Sequence, residues 1–189
     1  MSIRTLAASV ALAVSLAPCL SAQRLFHAHV DSLAGLNGNG EIVSFDSASG
    51  RFFVTNPVAS TLDVYEYAAG ALARVQSISL AGEPNGCAVH SGLVAVAVEG
   101  ATKQDLGSVE FYDAATGVTS GARVIVGALP DMLAFTPDGS KLVVANEGEA
   151  DEATSLNNPE GSVSIIDVTA RTAQTADFNA FDPQKAALQ

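Results

Sequence analysis

The chain has 189 residues, of which 20 are acidic and 9 are basic, so its formal net charge is −11. This acidic balance argues against nucleic acid and anionic membranes as partners, because both are bound through basic patches. Hydrophobic residues make up 48% of the sequence, which is enough to build the core of one ordinary domain.

The first residues have the pattern of a secretory signal peptide. Arg4 is its positive charge, residues 6–16 are an apolar run, and small residues lead up to Ala22. The apolar run is shorter than the ~18–20 residues that a membrane span needs. We therefore predict that residues 1–22 are cleaved and that the mature chain is secreted or otherwise extracytoplasmic, in a periplasm or at a cell surface, without a membrane span. Lipidation of Cys19 is the less favoured alternative, because a proline directly precedes it.

A sequence pattern recurs about every 45 residues after residue 40. Each unit has a polar residue, a short apolar strand, a glycine-containing turn and a second apolar strand, and a third strand follows a loop of variable length. Phe45, Val89 and Phe135 occupy one equivalent position, so the spacings are 44 and 46 residues. A period of ~40–50 residues built from short strands is typical of β-propeller blades. The sequence therefore predicts an all-β fold of β-propeller-like blades.

The pattern predicts three blades, at about 41–80, 83–126 and 128–189, the last of them incomplete. Closed propellers usually have four to eight blades, so three blades predict a partial propeller. We interpret residues 23–189 as a propeller fragment, either the N-terminal part of a longer protein or the product of a truncated gene. Open blade edges and uncovered blade faces are expected to favour association with other chains.

Three stretches of the repeat resemble one known family. They are GEIVSFD at 40–46, LPDMLAFTPDGSKLVVANEGE at 129–149 and PEGSVSIID at 159–167. These stretches are similar to the N-terminal part of the choice-of-anchor I family, whose secreted or surface-tethered members include proteins described as mesenchyme-specific cell surface glycoprotein-like or alkaline phosphatase-like. The resemblance covers about residues 24–189 and implies an extended propeller, often followed by an anchoring segment. The phosphatase description corresponds to no residues that we can match in this sequence.

Two sets of polar residues fall at equivalent positions of the repeat. One set precedes the innermost strand of each predicted blade, and the other directly follows the second strand. Because innermost strands line the channel of a propeller, we expect both sets to converge at one channel mouth and to face a ligand. An alternative for the first set is a capping or blade-joining hydrogen bond to neighbouring backbone. The first set is Glu41, Asn85 and Asp131, and the second is Glu99 and Glu147.

An acidic loop follows the second strand of the third predicted blade. It places Glu147, Glu149, Asp151, Glu152 and Glu160 within fourteen residues. Carboxylates on a flexible loop are the ligands that calcium prefers, so this loop is a candidate calcium site. Calcium is the one cofactor that the sequence suggests. The spacing does not match an EF-hand loop, and an ordinary solvated acidic loop is the alternative.

No familiar catalytic motif is present: the sequence has no G-x-S-x-G elbow, Walker loop, H-E-x-x-H or C-x-x-C. We therefore favour a secreted or cell-surface binding or scaffolding module, with an extracellular ligand or protein as its unidentified partner, over an enzyme. The alternative is a calcium-assisted extracellular hydrolase, phosphoesterase- or lactonase-like, with its site at the propeller mouth. Such an enzyme needs convergent carboxylates from several blades, whereas a binding module needs only a rigid exposed surface.

Overall fold

Twelve β-strands and one short 3-10 helix form the part of the chain that the computed structural model describes, residues 39–151, 153 and 157–184. The strands are grouped in three four-stranded antiparallel sheets. The predicted signal peptide lies outside the described residues. None of the described helical structure is long and apolar enough to cross a membrane.

The strands of each sheet follow one another in the chain. The first sheet contains β1 (Val43–Asp46), β2 (Arg51–Asn56), β3 (Thr61–Ala68) and β4 (Ala71–Ser79). The second sheet contains β5 (Pro84–His90), β6 (Leu93–Val98), β7 (Leu106–Asp113) and β8 (Val124–Ala128). The third sheet contains β9 (Pro130–Phe135), β10 (Lys141–Asn146), β11 (Ser162–Asp167) and β12 (Thr172–Ala176). The 3-10 helix covers Asn179–Gln184.

Each sheet is a simple meander, in which strands adjacent in the sequence are hydrogen-bonded neighbours. The first strands of the sheets lie side by side, because β1 contacts β5 and β5 contacts β9. Meanders arranged around a common inner edge are the blades of a β-propeller. The predicted all-β fold with three blades is therefore confirmed as a partial propeller, and we call the three sheets blades 1, 2 and 3.

Blade 3 contains four strands, whereas the sequence led us to expect an incomplete blade. Its outer strand β12 pairs with β11 from Val163 opposite Ala176 to Asp167 opposite Thr172. The five residues of β12 are mostly exposed and lack an alternation of apolar and polar side chains. A strand of this kind is held by its backbone hydrogen bonds and leaves little hydrophobic pattern in the sequence.

The strand registers confirm the equivalent positions of the repeat. In each blade, the repeated apolar residue of the inner strand lies opposite an apolar residue of the second strand. These pairs are Phe45 with Phe52, Val89 with Val94, and Phe135 with Leu142. We call the blade face that carries these pairs the front face and the opposite one the back face.

The hydrophobic core consists of two layers, each shared by two blades. One layer joins the back face of blade 1, with Phe53, to the front face of blade 2, with Val94. The other joins the back face of blade 2, with Phe111, to the front face of blade 3, with Leu142. All four side chains are fully buried, and each contributes roughly 1.5–3 kcal/mol through the apolar surface it removes from water. Packing between blades therefore fixes how the inner strands, and the loops at their ends, are placed.

Candidate functional site at the acidic end of the blades

The predicted polar residues lie at one end of the blades, which we call the acidic end. In blade 2, Pro84 at the start of β5 pairs with Val98 at the end of β6. In blade 3, Pro130 at the start of β9 pairs with Asn146 at the end of β10. The start of each inner strand and the loop after each second strand therefore lie at the same end of the blades. The predicted residues at this end are Glu41, Asn85, Asp131, Glu99 and Glu147.

Asn85 joins blades 2 and 3 at the acidic end. Its side-chain Nδ2 donates a hydrogen bond to the carbonyl oxygen of Pro130 over 3.2 Å, and its side chain lies close enough to the carboxylate of Glu99 to lower the pKa of that group. The next residue, Gly86, approaches β9 so closely that a Cβ there would lie 2.2 Å from the carbonyl oxygen of Asp131. The structure thus brings Asn85 and Glu99 together next to the backbone of β9, and Asn85 makes the blade-joining hydrogen bond considered as an alternative.

Glu99 has a second carboxylate, that of Glu83, as its neighbour. Burial raises the pKa of the Glu99 carboxyl, the negative charge of Glu83 raises it further, and the hydrogen bond with Asn85 lowers it. The backbone N–H of Glu99 donates to the carbonyl oxygen of Glu83 over 3.0 Å. The repeat pattern did not single out Glu83. Glu83 directly precedes β5 and Glu99 directly follows β6. Because Pro84 and Val98 at these strand ends are antiparallel partners, the two glutamates are neighbours.

Lys103 forms an ion pair at the acidic end. Its Nζ lies 3.0 Å from Oε2 of Glu149, and the side chain of Gln104 donates to the backbone carbonyl oxygen of Glu149 over 3.1 Å. The hydrogen bond and the charge of Glu149 raise the pKa of the Lys103 ammonium, and the charges of Glu99 and Glu83 add to this. These contacts connect the loop after β6 to the loop after β10. Because the Lys103 side chain is 55% exposed and that of Glu149 is 38% exposed, this ion pair adds little to the stability of the fold.

A cavity of about 500 Å³ opens beside the two neighbouring glutamates. Its polar lining combines carboxylates, hydroxyls and one guanidinium group. These lining residues include Glu83, Glu99, Ser60, Ser108 and Arg123. An open cavity with this lining can hydrogen-bond a polar group and attract a positive charge.

Glu41 and Glu147 lie at the same end with exposed side chains. The backbone N–H of Glu41 donates to the carbonyl oxygen of Thr55, and that of Glu147 donates to the carbonyl oxygen of Leu129. Their backbones therefore secure the inner edges of blades 1 and 3, while their carboxylates add negative charge to the surface of the acidic end.

The calcium ligands predicted on the loop after β10 are only partly described. Among the residues that the structure describes, no three histidine, cysteine, aspartate or glutamate side chains lie close enough to hold a metal ion. Glu149 is paired with Lys103, the backbone N–H of Asp151 donates to the carbonyl oxygen of Asn157, and Glu160 is exposed. Glu152 lies outside the described residues, so the calcium site stays a prediction.

A sequence-family comparison identifies the chain. The model of the choice-of-anchor I domain matches residues 41–189, which include all three blades. The chain belongs to the choice-of-anchor I family. The resemblance of the repeat to this family is therefore confirmed, whereas the glycoprotein and phosphatase descriptions of some members are not. Membership in the choice-of-anchor I family indicates a cell-surface or extracellular protein.

Solved structures that resemble this choice-of-anchor I chain share its fold at low sequence identity. Hydrazine synthase of Kuenenia stuttgartiensis aligns with 74% of the chain, at a TM-score of 0.59 and 17% identity. The Pan2 WD40 domain of Neurospora crassa aligns with 72%, at a TM-score of 0.52 and 16% identity. The periplasmic gluconolactonase PpgL of Pseudomonas aeruginosa aligns with 71%, at a TM-score of 0.52 and 18% identity.

The choice-of-anchor I chain spans 37% of the hydrazine synthase chain and 39% of each of the other two. At these identities the similarity shows the fold alone. No curated protein shows significant sequence similarity to the chain.

Proposed function

We propose that this choice-of-anchor I chain is an extracellular binding module that presents its acidic end to a positively charged peptide segment of a partner. The observation that carries the proposal is the pair of carboxylates of Glu83 and Glu99 lining one cavity, beside loops that Lys103 and Glu149 connect by an ion pair of 3.0 Å. Family membership and the signal-peptide pattern of residues 1–22 support a location outside the cytoplasm.

Electrostatic repulsion at the acidic end favours a cationic partner. Burial and the negative charge of Glu83 raise the pKa of Glu99, so its ionised form is less favourable here than in a fully solvated glutamate. A positive charge placed beside these carboxylates offsets that repulsion. Exposed charges act over a Debye length of about 8 Å at physiological ionic strength, which is enough to attract a basic segment to the cavity. The packed blades meanwhile keep the loops that carry these charges in place.

Removal of two of these charges is expected to weaken binding of a lysine-rich peptide. The double variant Glu83→Gln, Glu99→Gln keeps the side-chain size but loses two carboxylates, so we expect the Kd to rise about tenfold at low ionic strength, which is about 1.4 kcal/mol. Fluorescence anisotropy of a labelled peptide measures this, with a glutamate-rich peptide of equal length as the reference ligand.

The matched control removes two carboxylates from the opposite end of the blades. Asp113→Asn with Asp138→Asn changes the net charge by the same amount, and asparagine retains an oxygen that accepts the turn hydrogen bonds of both residues. This control should bind the lysine-rich peptide almost as tightly as the wild type. Equal weakening by both double variants, or equal binding of the two peptides, would show that only net charge matters and would remove the proposed site.

The second candidate function is a calcium-assisted hydrolase, phosphoesterase- or lactonase-like, acting at the same end. It is favoured by the approach of Glu83 and Glu99 beside the cavity, since neighbouring carboxylates suit calcium binding and acid–base chemistry. Calcium-dependent hydrolysis of a simple phosphate ester or lactone would favour this function over the binding module.

Calcium at millimolar concentration is expected to raise the unfolding temperature by about 2–4 °C if the loop after β10 holds the ion, because a ligand of the folded state stabilises it by mass action. Differential scanning calorimetry measures the shift. Sodium chloride at equal ionic strength should not reproduce it, and the variant Glu147→Gln, Asp151→Asn should lose the calcium-specific part. Identical shifts with both salts would identify the loop as an ordinary solvated acidic segment.

A further inference from the structure

A groove lies between blades 1 and 2, beside the two outer strands of blade 2. The connection from β4 to β5 forms one side of it, and β7 and β8 form the other. It consists of two cavities of about 500 and 460 Å³, which adjoin because Ala81 and Arg123 line both. The groove begins at Glu83 and Glu99 and continues along β7, away from the acidic end, as far as Tyr112.

Arg123 supplies a positive charge in this groove that no side chain neutralises. Among the residues that the structure describes, it is the one lysine or arginine without an ion pair, a hydrogen bond or a ring contact of its side chain. Glu110 is its nearest counterpart across the two strands, but the oxygens of that carboxylate accept from the N–H of Ala81 and from the hydroxyl of Tyr112. The exposed guanidinium of Arg123 is therefore available to an anionic group of a ligand.

The strand registers give the distance between the negative and positive ends of the groove. The residue before Glu99 pairs with Ser108, and the residue after Arg123 pairs with Val109. Glu99 is therefore level with residue 107 of β7, and Arg123 is level with residue 110. Three residues of a strand, at about 3.3 Å each, separate the two levels by about 10 Å.

Two exposed apolar side chains lie in the same part of the groove. Leu106 is 66% exposed and Ile125 is 52% exposed, and both line the cavity that contains the two glutamates. Ile125 pairs with Ser108, which places it between the levels of Glu99 and Arg123. An apolar group of a ligand would remove this surface from water, a gain of roughly 25 cal/mol for each Å².

We propose that the groove binds an extended peptide segment in which a basic and an acidic residue lie about three positions apart, with an apolar residue between them. The basic residue lies against Glu83 and Glu99, the apolar residue against Ile125, and the acidic residue against Arg123. An extended segment advances about 3.3 Å per residue, so its two charges match the two ends of the groove. This inference rests on the proposed function and specifies which basic segments the acidic end accepts.

Paired substitutions in peptide and protein test the contact at Arg123. The probe is a labelled octapeptide with lysine, leucine, serine and glutamate in succession, and a second octapeptide carries them in reverse order. Fluorescence anisotropy at low ionic strength measures the Kd. Glutamine in place of the peptide's glutamate is expected to raise the Kd about fivefold for at least one order, the upper range for an exposed ion pair. Net charge alone predicts the opposite, because the glutamine peptide is more cationic and the protein is acidic.

The variant Arg123→Gln should remove this difference between the glutamate and glutamine peptides, to about twofold or less. The matched control is Lys141→Gln, which removes one positive charge from a 44% exposed side chain at the opposite end of the blades and should keep the fivefold difference. Circular dichroism checks that both variants are folded. Ile125→Thr should weaken binding of the leucine peptide about threefold, but not that of a peptide with serine in place of leucine.

Glutamine peptides that bind the wild type as tightly as the glutamate peptides would overturn the proposal. The same conclusion would follow if Arg123→Gln kept the full difference, or if Ile125→Thr weakened the leucine and serine peptides equally. These outcomes leave the proposed function intact as long as the variant Glu83→Gln, Glu99→Gln still weakens binding of the lysine-rich peptide. Loss of that dependence would instead remove the proposed function.

Discussion

Replacement of Phe53 by alanine is expected to lower the free energy of unfolding by about 3–5 kcal/mol, the usual cost of deleting a buried aromatic side chain. Phe53 is fully buried in the core layer between blades 1 and 2, with Leu62 and Val94 in the same cluster. The cavity left by the ring lies between two hydrogen-bonded sheets, which cannot collapse into it without shifting as units. Chemical denaturation followed by circular dichroism measures the loss.

Phe178→Ala is the matched control, because this phenylalanine is 55% exposed. Its replacement should change the free energy of unfolding by no more than about 0.5 kcal/mol. Similar losses for the two variants would mean that the blades do not pack through the layer that contains Phe53.

Replacement of Gly86 by alanine is expected to cost about 2–3 kcal/mol of stability, because a Cβ at this position would lie 2.2 Å from the carbonyl oxygen of Asp131. The obstacle is backbone of the neighbouring blade, so β5 and β9 must separate to relieve the clash. That movement also strains the hydrogen bond from Asn85 to the carbonyl oxygen of Pro130. Chemical denaturation measures the cost, and the resulting change in environment at the acidic end should appear in amide chemical shifts.

Gly92→Asn provides the comparison for this glycine. Gly92 has a φ of +81° and no heavy atom within 4 Å of a Cβ built on it, and asparagine adopts a left-handed backbone more readily than other side chains. We expect a loss well below that of Gly86→Ala. If Gly86→Ala were as stable as the wild type, the inner strands of blades 2 and 3 would not approach as closely as the structure indicates.

The blade arrangement could be predicted from the sequence because burial leaves a regular pattern in it. Phe45, Val89 and Phe135 recur at equivalent positions, and Val89 and Phe135 pack against the core layers between adjacent blades. The outer strand β12 could not be predicted in this way, because Ala173 is its one residue that packs against the core and its other residues are exposed. The apolar pattern of the sequence therefore predicts the inner strands of blade 3 better than its outer strand.

The candidate site could be predicted only in part. Asn85, Glu99 and Asp131 were singled out because they fall at repeated positions, and the structure places Asn85 and Glu99 side by side with the backbone of β9 next to them. Lys103 escaped notice because its loop differs in length and composition from the corresponding loops of the other blades. Its pairing with Glu149 depends on how blades 2 and 3 pack against each other. The sequence repeat describes each blade separately, so it does not encode this contact.

The sharing of each core layer by two blades has a consequence for how the molecule folds. No blade possesses a core of its own, so a single sheet released from its neighbours would expose the side chains that stabilise it. Blade 2 contributes to both layers, whereas blades 1 and 3 contribute to one each. We therefore expect nearest-neighbour cooperativity in this chain. The flanking sheets should unfold first and the middle sheet last.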